Sequence, residues 1–318
     1  MMKILKNLSL MAVGVGLAVA TTSPTLAAEK SIGFMIWNTS VPFYSNLIST
    51  AEKTAKENDI DLNIQSGNGD LSTQISIVQQ FIAQNVDMIM IAPSDPKGIV
   101  PVVKQANKAG IPVMAVNTKA DTESGADILT YVGVDDYVFG QKQGELLVQA
   151  VGENAKVAYI LGKLGTSAQL ARESGLMDTL SKHPGIEIIG KQAADWDNAK
   201  ALAITQDFLS RYPKGNIDAI IDQGPEGVTG AIFAHQNGRD DVLFVMGDYP
   251  ADVRKAIQDG YVYGTVIQDP APQGQVAIED AVAYFNGKGD TIPKPNHYLD
   301  LPIIDKSNVA DFPPAWGG

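Results

Sequence analysis

Aromatic and amide side chains able to bind a polar ligand follow the first apolar run of the chain. Trp37, Asn38, Phe43 and Tyr44 all lie in the short stretch after residues 32–36. Aromatic rings pack well against the C–H faces of a sugar, and an amide both donates to and accepts from its hydroxyl edges. These residue types predict a site for a small polyhydroxylated molecule. The alternative is that the rings belong to the hydrophobic core.

The segment around these side chains has the pattern of a strand, a loop and a helix. Residues 32–37 are apolar, which is typical of a strand buried on both faces of a parallel sheet. Pro42 suits the first turn of a helix, where no backbone N–H is needed, and Leu47, Ile48 and Ala51 continue at helical spacing. Ligands of open α/β sheets bind at the carboxyl ends of strands, so this loop is the expected binding position.

The rest of the chain alternates apolar runs with helical patterns, which indicates parallel sheets with covered faces. We expect further strands at residues 62–64, 86–91, 111–116, 129–134, 157–161, 186–189, 217–221, 242–246, 261–267 and near 298–303. Helices are expected after a cap at Asp70 and at residues 96–109, 166–180, 198–212, 226–237, 251–259 and 272–286. Two similar α/β halves imply two lobes with a ligand cleft between them.

The first 27 residues have the pattern of a secretory signal peptide. Lys3 and Lys6 precede an apolar segment that is too short to span a membrane. Thr25-Leu26-Ala27 fits a small-x-small cleavage site, so we expect cleavage after Ala27; the alternative is an uncleaved anchor. The 318-residue chain contains no cysteine, hence no disulfide and no cysteine for lipid attachment. These features predict export to the periplasm.

The charge of the chain argues against several classes of partner. Cleavage after Ala27 would remove two lysines and no acid, leaving 22 basic and 36 acidic residues and a net charge of −14. Such an acidic protein is a poor partner for nucleic acid or anionic lipid. We therefore expect no nucleic-acid partner.

Motifs for metal, nucleotide and catalytic chemistry are absent from the sequence. His183, His235 and His297 are far apart, and residues 195–198 begin like a calcium loop but lack its glycine and terminal glutamate. No phosphate-binding glycine loop occurs, and nothing in the spacing selects a pair of catalytic carboxylates. The sequence predicts no metal, no cofactor and no enzymatic activity.

Several short motifs occur in the order seen in one family of receptors. They are Pro42-Phe43-Tyr44, Gly165-Thr166-Ser167-Ala168 followed by Arg172, Ala194-Asp195-Trp196-Asp197, Gly247-Asp248 and Gln268-Asp269. With them the chain resembles the periplasmic ribose-type sugar-binding proteins, which are type I solute-binding proteins of ABC importers. The resemblance implies two Rossmann-like α/β lobes with parallel sheets joined by three crossovers. The lobes would comprise residues 28–134 plus 269–300, and 135–268 plus 301–318.

The resemblance also implies which side chains of the second lobe reach the ligand. Arg172 would reach the sugar with a rigid fork of donors, and Trp196 would stack on it. Asp248 would accept hydrogen bonds from hydroxyls, and Gln268 would bind ligand at a crossover. The alternatives without a ligand are that Arg172 is solvated, that Trp196 packs under the following helix and that Asp248 caps the next helix. The full predicted set is Trp37, Asn38, Phe43, Tyr44, Asn117, Arg172, Trp196, Gln223, Asp248 and Gln268.

The sequence departs from the ribose pattern at three strand ends. Asn117-Thr118 stands where that pattern has Asp-Arg, Ala92 where it has Asn, and residues 223–226 where it has Asn-Asp. The acid–arginine pair that grips a pyranose ring is therefore missing. The resemblance implies the fold and a binding role, but not ribose as the ligand.

The sequence thus predicts a monomeric periplasmic receptor that hands a small sugar or polyol to an inner-membrane ABC permease. The leading alternative is a receptor that presents its ligand to a chemotaxis protein or a sensor kinase. A DNA-binding repressor of the same fold would need a helix-turn-helix before the first strand. The predicted signal peptide occupies that place.

Overall fold

Two six-stranded sheets organise the chain in the computed structural model, which describes residues 29–317. The predicted signal peptide, residues 1–27, lies outside the described residues. Each sheet is covered by helices, which gives two α/β lobes.

The first sheet is entirely parallel and has the strand order β11-β5-β4-β3-β1-β2. Its strands are β1 (Lys30–Ile36), β2 (Ile60–Ser66), β3 (Met88–Ala92), β4 (Val113–Val116), β5 (Tyr131–Gly133) and β11 (Asn296–Tyr298). Every residue of β3, β4 and β5 is buried. This matches the continuous apolar runs from which parallel strands were predicted.

The second sheet has the order β12-β10-β9-β8-β6-β7 and is parallel except for β12, which pairs antiparallel with β10. Its strands are β6 (Asn154–Leu161), β7 (Gly185–Ala193), β8 (Ala219–Asp222), β9 (Leu243–Gly247), β10 (Gly264–Val266) and β12 (Ile303–Asp305). The chain passes between the sheets three times, after β5, after β10 and after β11.

The helices divide between the lobes according to the sheet that they cover. The first sheet packs against α1 (Pro42–Glu57), α2 (Leu71–Gln84), α3 (Val100–Lys108) and α9 (Pro270–Phe285). The second lobe contains α4 (Asp136–Val151), α5 (Ser167–Leu180), α6 (Asn198–Arg211), α7 (Val228–Gln236) and α8 (Ala251–Asp259). A short 3₁₀ helix, Gly289–Thr291, follows α9.

Side-chain caps fix where several helices begin. Asp70 accepts from the backbone N–H of Thr73 at 2.7 Å, which confirms the predicted cap of α2. Thr166 caps α5 by accepting from the N–H of Gln169 at 3.3 Å, and Asp197 caps α6. The Asp197 cap fixes the end of the turn that carries Trp196, and the Thr166 cap fixes the start of the helix that carries Arg172.

Two features of the fold differ from the sequence prediction. Helix α4 was not predicted, because Gly140 and Gly144 interrupt a pattern with weak helical periodicity. One strand was expected near residues 298–303, whereas the structure has β11 and β12 there, in different sheets. The residues between them form the third passage between the lobes.

Close contact between α4 and α5 explains those glycines. A Cβ built on Gly140 would lie 2.0 Å from the backbone oxygen of Arg172, and one built on Gly175 would lie 2.0 Å from that of Tyr137. Neither distance leaves room for a side-chain atom. The glycines therefore set the separation of the two helices and, with it, the position of Arg172.

We expect Gly175→Ala to lower the free energy of unfolding by about 1–3 kcal/mol, because the added methyl group must separate α4 from α5. This loss would come despite alanine's usual advantage of roughly 1 kcal/mol over glycine in a helix. The matched control is Ser174→Ala, at an exposed position of the same helix, which should change stability by less than ~0.5 kcal/mol. Urea unfolding followed by circular dichroism measures both. Unchanged stability of Gly175→Ala would contradict the close helix contact.

Candidate ligand-binding site

A cavity of about 140 Å³ lies between the carboxyl ends of the two sheets. This is below the roughly 300–1,000 Å³ of pockets that hold drug-sized ligands, so the cavity suits a small molecule. Predicted residues that line it are Trp37, Phe43, Tyr44, Asn117, Arg172, Trp196, Asp248 and Gln268. The strand-end loops of both lobes therefore meet where the sequence placed the site.

Two predicted residues do not line the cavity. The Asn38 side chain turns back to accept from the N–H of Ser40 at 3.0 Å, in a turn before α1. Gln223 is fully buried behind the cavity wall, where its amide group donates to the Tyr159 hydroxyl at 2.6 Å and accepts from the N–H of Gly162 at 2.9 Å. The Asn38 oxygen and the Gln223 amide group thus bond within the protein and stabilise the nearby backbone.

A chain of hydrogen bonds fixes the first-lobe wall. Trp37 Nε1 donates to the Tyr44 hydroxyl at 2.9 Å, and that hydroxyl donates to Asn117 Oδ1 at 2.8 Å. The Asn117 amide then donates to Gln273 Oε1 at 3.2 Å. Phe43 packs edge-to-face on Tyr44 at 5.6 Å between ring centroids. Burial raises the pKa of Tyr44, which keeps the phenol neutral. The wall is thus a set of rigid, uncharged aromatic surfaces.

The guanidinium of Arg172 is the centre of the second-lobe wall. It is 1% exposed, and its Nε donates to Asp136 Oδ1 at 2.9 Å. Its Nη1 donates to the backbone oxygen of Gln223 at 2.7 Å and lies 3.7 Å from Asp248 Oδ1. The Phe139 ring lies 3.7 Å from the guanidinium carbon and covers it. The arginine is held on several sides and reaches the cavity in one orientation.

Buried carboxyl groups outnumber buried cations around the site. Asp136, Asp222, Glu226 and Asp248 are each at most 7% exposed, and Arg172 is the cation nearest to them. Burial raises the pKa of Asp248 to about 6 and that of Asp222 to about 7. Burial also raises the pKa of Glu226. These groups therefore lose their protons at higher pH than exposed carboxyls do.

One carboxylate oxygen in the cavity pairs with the charge of Arg172 but accepts no hydrogen bond from residues 29–317. Asp248 Oδ2 accepts from the Gln268 amide at 3.3 Å. Asp248 Oδ1 is buried and has no hydrogen-bond partner among residues 29–317. Buried polar atoms nearly always have a partner, so this oxygen is an acceptor position for a ligand donor.

Three lining residues have a left-handed backbone conformation. The φ angles are +65° at Asn117, +61° at Trp196 and +60° at Asp248. Asn and Asp adopt this region readily, whereas for a bulky residue such as Trp it is an outlier. Such strain costs on the order of 1–3 kcal/mol and concentrates at functional sites. The conformation of Trp196 is accordingly evidence that the turn aims its indole at the cavity.

Glycines make room for this indole. A Cβ on Gly162 would lie 2.0 Å from the Trp196 ring, and one on Gly224 would lie 3.0 Å from it. Gly224 follows the end of β8 and occupies one of the positions where the sequence departs from the ribose pattern. The glycine at this position therefore leaves space for the Trp196 ring on the second lobe.

Sequence reasoning missed three residues that shape the site. Asp136 was missed because α4 was not predicted, although an acidic pair at 135–136 is a signal for a helix start. Glu226 lines the cavity within residues 223–226, one of the segments that depart from the ribose pattern, but it was not predicted as a contact. Trp316 lines the cavity from the far end of the described chain, and no local pattern connects it with Phe43.

Within residues 29–317, the His, Asp and Glu side chains form no group of three that could hold a metal ion. None of the helices in this part of the chain combines the length and hydrophobicity needed to cross a bilayer.

Comparisons with known proteins agree with this architecture. The family model described as a periplasmic binding protein domain matches residues 32–289. The ribose import binding protein RbsB of Escherichia coli (strain K12) is 28% identical over 303 residues, which cover 95% of this chain and 99% of that protein. The xylitol-binding protein of Mycolicibacterium smegmatis is 30% identical over 303 residues, covering 94% of this chain and 84% of that protein.

A solved structure extends the agreement to three dimensions. An ABC transporter periplasmic solute binding protein from Actinobacillus succinogenes, with bound D-allose, superposes with a TM-score of 0.78 at 28% identity. The match covers 89% of this chain and all of that one. Together these findings confirm the predicted two-lobed α/β fold and the resemblance on which it was based. The chain belongs to the periplasmic binding protein domain family.

Proposed function

We propose that this protein is the solute-binding component of an ABC importer and that it binds a small sugar or polyol between its lobes. The observation that carries the proposal is Asp248 Oδ1, which lies 3.7 Å from Arg172 Nη1 and accepts no hydrogen bond from the described residues, in a cavity with aromatic walls. The relatives named above are a ribose import protein, a xylitol-binding protein and a receptor with bound D-allose. They are binding proteins rather than enzymes.

The contacts on offer match the chemistry of a polyol. Its hydroxyl groups would donate to the Asp248 carboxylate and accept from the Arg172 guanidinium, both of which are charge-assisted bonds. Its C–H face would pack between Trp37 and Phe43 on one lobe and Trp196 on the other. The first lobe supplies Asn117 where the ribose pattern has an acid, so the ligand would meet a neutral amide there.

The cellular role follows from the family and the leader pattern. We propose a periplasmic location, supported by the signal-peptide pattern of residues 1–27 and by the family. Residues 28–134 plus 269–300 and 135–268 plus 301–318 would move as two units about the three chain passages and close on ligand. The closed monomer would then dock on an inner-membrane permease. Similarity to import proteins favours transport over a role confined to chemotaxis or sensing.

The ligand class can be tested by thermal shift with pentoses, hexoses and acyclic polyols. A ligand at about 100 times its Kd should add roughly 2.7 kcal/mol to the free energy of unfolding. Amino acids serve as the negative set, because Arg172 is the one cationic side chain among the described residues that line the cavity, and Asp136 and Asp248 already balance its charge. A melting temperature raised by amino acids and by none of the sugars or polyols would contradict the proposal.

We expect Asp248→Asn to weaken binding of the best ligand of that screen at least tenfold, because a hydrogen bond to a charged acceptor is worth about 1.5–3 kcal/mol. This change preserves shape, unlike Arg172→Ala, which would leave Asp136 as an uncompensated buried charge. His235→Ala is the control, because His235 pairs with Asp240 on the outer face of the second lobe. Titration calorimetry measures the affinity of each variant. Wild-type affinity in Asp248→Asn would show that the binding site lies elsewhere.

Binding should also depend on pH through Asp248. The pKa of its carboxyl group is raised to about 6. Hydroxyl donors favour the ionised form, so binding is strongest above this pKa and weakens as protonation removes the acceptor. We expect constant affinity above about pH 7 and a loss approaching tenfold per pH unit well below 6. In Asp248→Asn calorimetry should find weak binding without this dependence. Equal wild-type affinity at pH 8 and pH 4.5 would refute the assignment.

A further inference from the structure

A segment that follows the last strand returns to the mouth of the cavity. We call residues 306–317 the return segment. Tyr249, in the loop between β9 and α8, holds it in place: the Tyr249 hydroxyl donates to the backbone oxygens of Val309 at 3.2 Å and Phe312 at 3.3 Å. The N–H of Ala315 donates to the backbone oxygen of Tyr249 at 2.8 Å, and that of Ala251 donates to the backbone oxygen of Trp316 at 3.0 Å.

Apolar packing adds to these bonds. Val309 is 6% exposed and belongs to the core of the second lobe, against which Phe312 and Ala315 also pack. The return segment is therefore part of the second lobe and should move with it.

The end of the return segment touches the first lobe instead. Asn46 of α1 donates from its amide to the backbone oxygen of Ala315 at 2.9 Å. The Trp316 ring packs edge-to-face on Phe43 at 5.5 Å between centroids and joins the core cluster of the first lobe. Phe43 and Trp316 both line the cavity. One indole thus makes contact across the cleft at the binding site itself.

We propose that Trp316 is a ligand-contacting and size-determining residue, which closes the cavity beside Phe43 when the lobes come together. This inference rests on the proposed function, because it assigns a role in the same site. No part of the resemblance to the ribose-type proteins points to this position.

The contacts of the Trp316 ring indicate two effects on the cavity. It adds an aromatic surface to the cavity and blocks the side next to the first turn of α1. Because the return segment moves with the second lobe, the Trp316–Phe43 and Ala315–Asn46 contacts form on closure and break on opening. They should slow ligand release more than they speed its entry.

Trp316→Ala is a clean test, since backbone bonds hold the return segment and the substitution leaves them in place. Calorimetry and stopped-flow fluorescence would use the tightest-binding of D-ribose, xylitol and D-allose. We expect at least tenfold weaker binding, mainly through faster release, and partial recovery in Trp316→Phe. The control is Tyr284→Ala, a partly exposed aromatic on α9 away from the cavity, which should bind as wild type.

A second readout separates contact with ligand from packing alone. Wild-type protein should reject the disaccharide alcohol maltitol, whereas Trp316→Ala should bind it within about tenfold of the small probe. Wild-type affinity and unchanged rejection of maltitol in Trp316→Ala would overturn the inference. Weaker binding of the small probe with maltitol still rejected would also overturn the size-determining role.

A third readout needs no ligand and distinguishes the two proposals. The chain has no cysteine, so a short bismaleimide can join only the pair introduced in Asn46→Cys with Ala315→Cys. Cross-linking of the double variant, absent from either single variant, supports the contact across the cleft; its failure overturns the inference. If none of the three probes binds wild-type protein while the cross-link forms, the proposed ligand class fails and the closing contact stands.

Discussion

The buried guanidinium of Arg172 determines how the elements of the second lobe are arranged around the cavity. Removing Arg172 from water is costly unless hydrogen bonds and opposite charges surround it. Asp136 from the start of α4, the Gln223 carbonyl after β8 and the Asp248 carboxylate after β9 meet this need. The side chain can satisfy them together only if α4 and α5 approach as closely as their glycines permit. Helix packing and site geometry are thus one constraint rather than two.

The first-lobe wall of the cavity is held in place by neutral groups instead of charged ones. Its wall links Trp37, Tyr44, Asn117 and Gln273 by hydrogen bonds between neutral groups. A network in which every member has a partner rigidifies its surroundings. The cavity is therefore asymmetric, with an uncharged aromatic wall facing an ionised one. A ligand with an apolar face and a hydroxyl edge fits such a cavity in a preferred orientation.

Local sequence signals predicted the parts of the site that depend on neighbouring residues. The strand, loop and helix around Trp37 and Phe43 follow from periodicity and from Pro42, and α8 spans the residues predicted for it. The misses have a different origin. Asn38 and Gln223 occupy the expected strand ends. The Asn38 side chain turns back to the N–H of Ser40 in its own turn, whereas Gln223 is held by groups of another strand and its loop. Asp136 and Trp316 reach the cavity through packing of distant segments, which no short pattern encodes.

The left-handed turn at Trp196 has a consequence for the thermodynamics of binding. The indole lies beside two glycines at which any side chain would collide with it. The backbone of Trp196 has a left-handed conformation, which further restricts the positions that the ring can take. The conformational entropy of this side chain is therefore lost when the protein folds, not when a ligand arrives. Preorganised contacts of this kind gain affinity by lowering the ordering cost of association. The free-energy cost of ordering Trp196 is thus met when the protein folds, and binding of a ligand does not add to it.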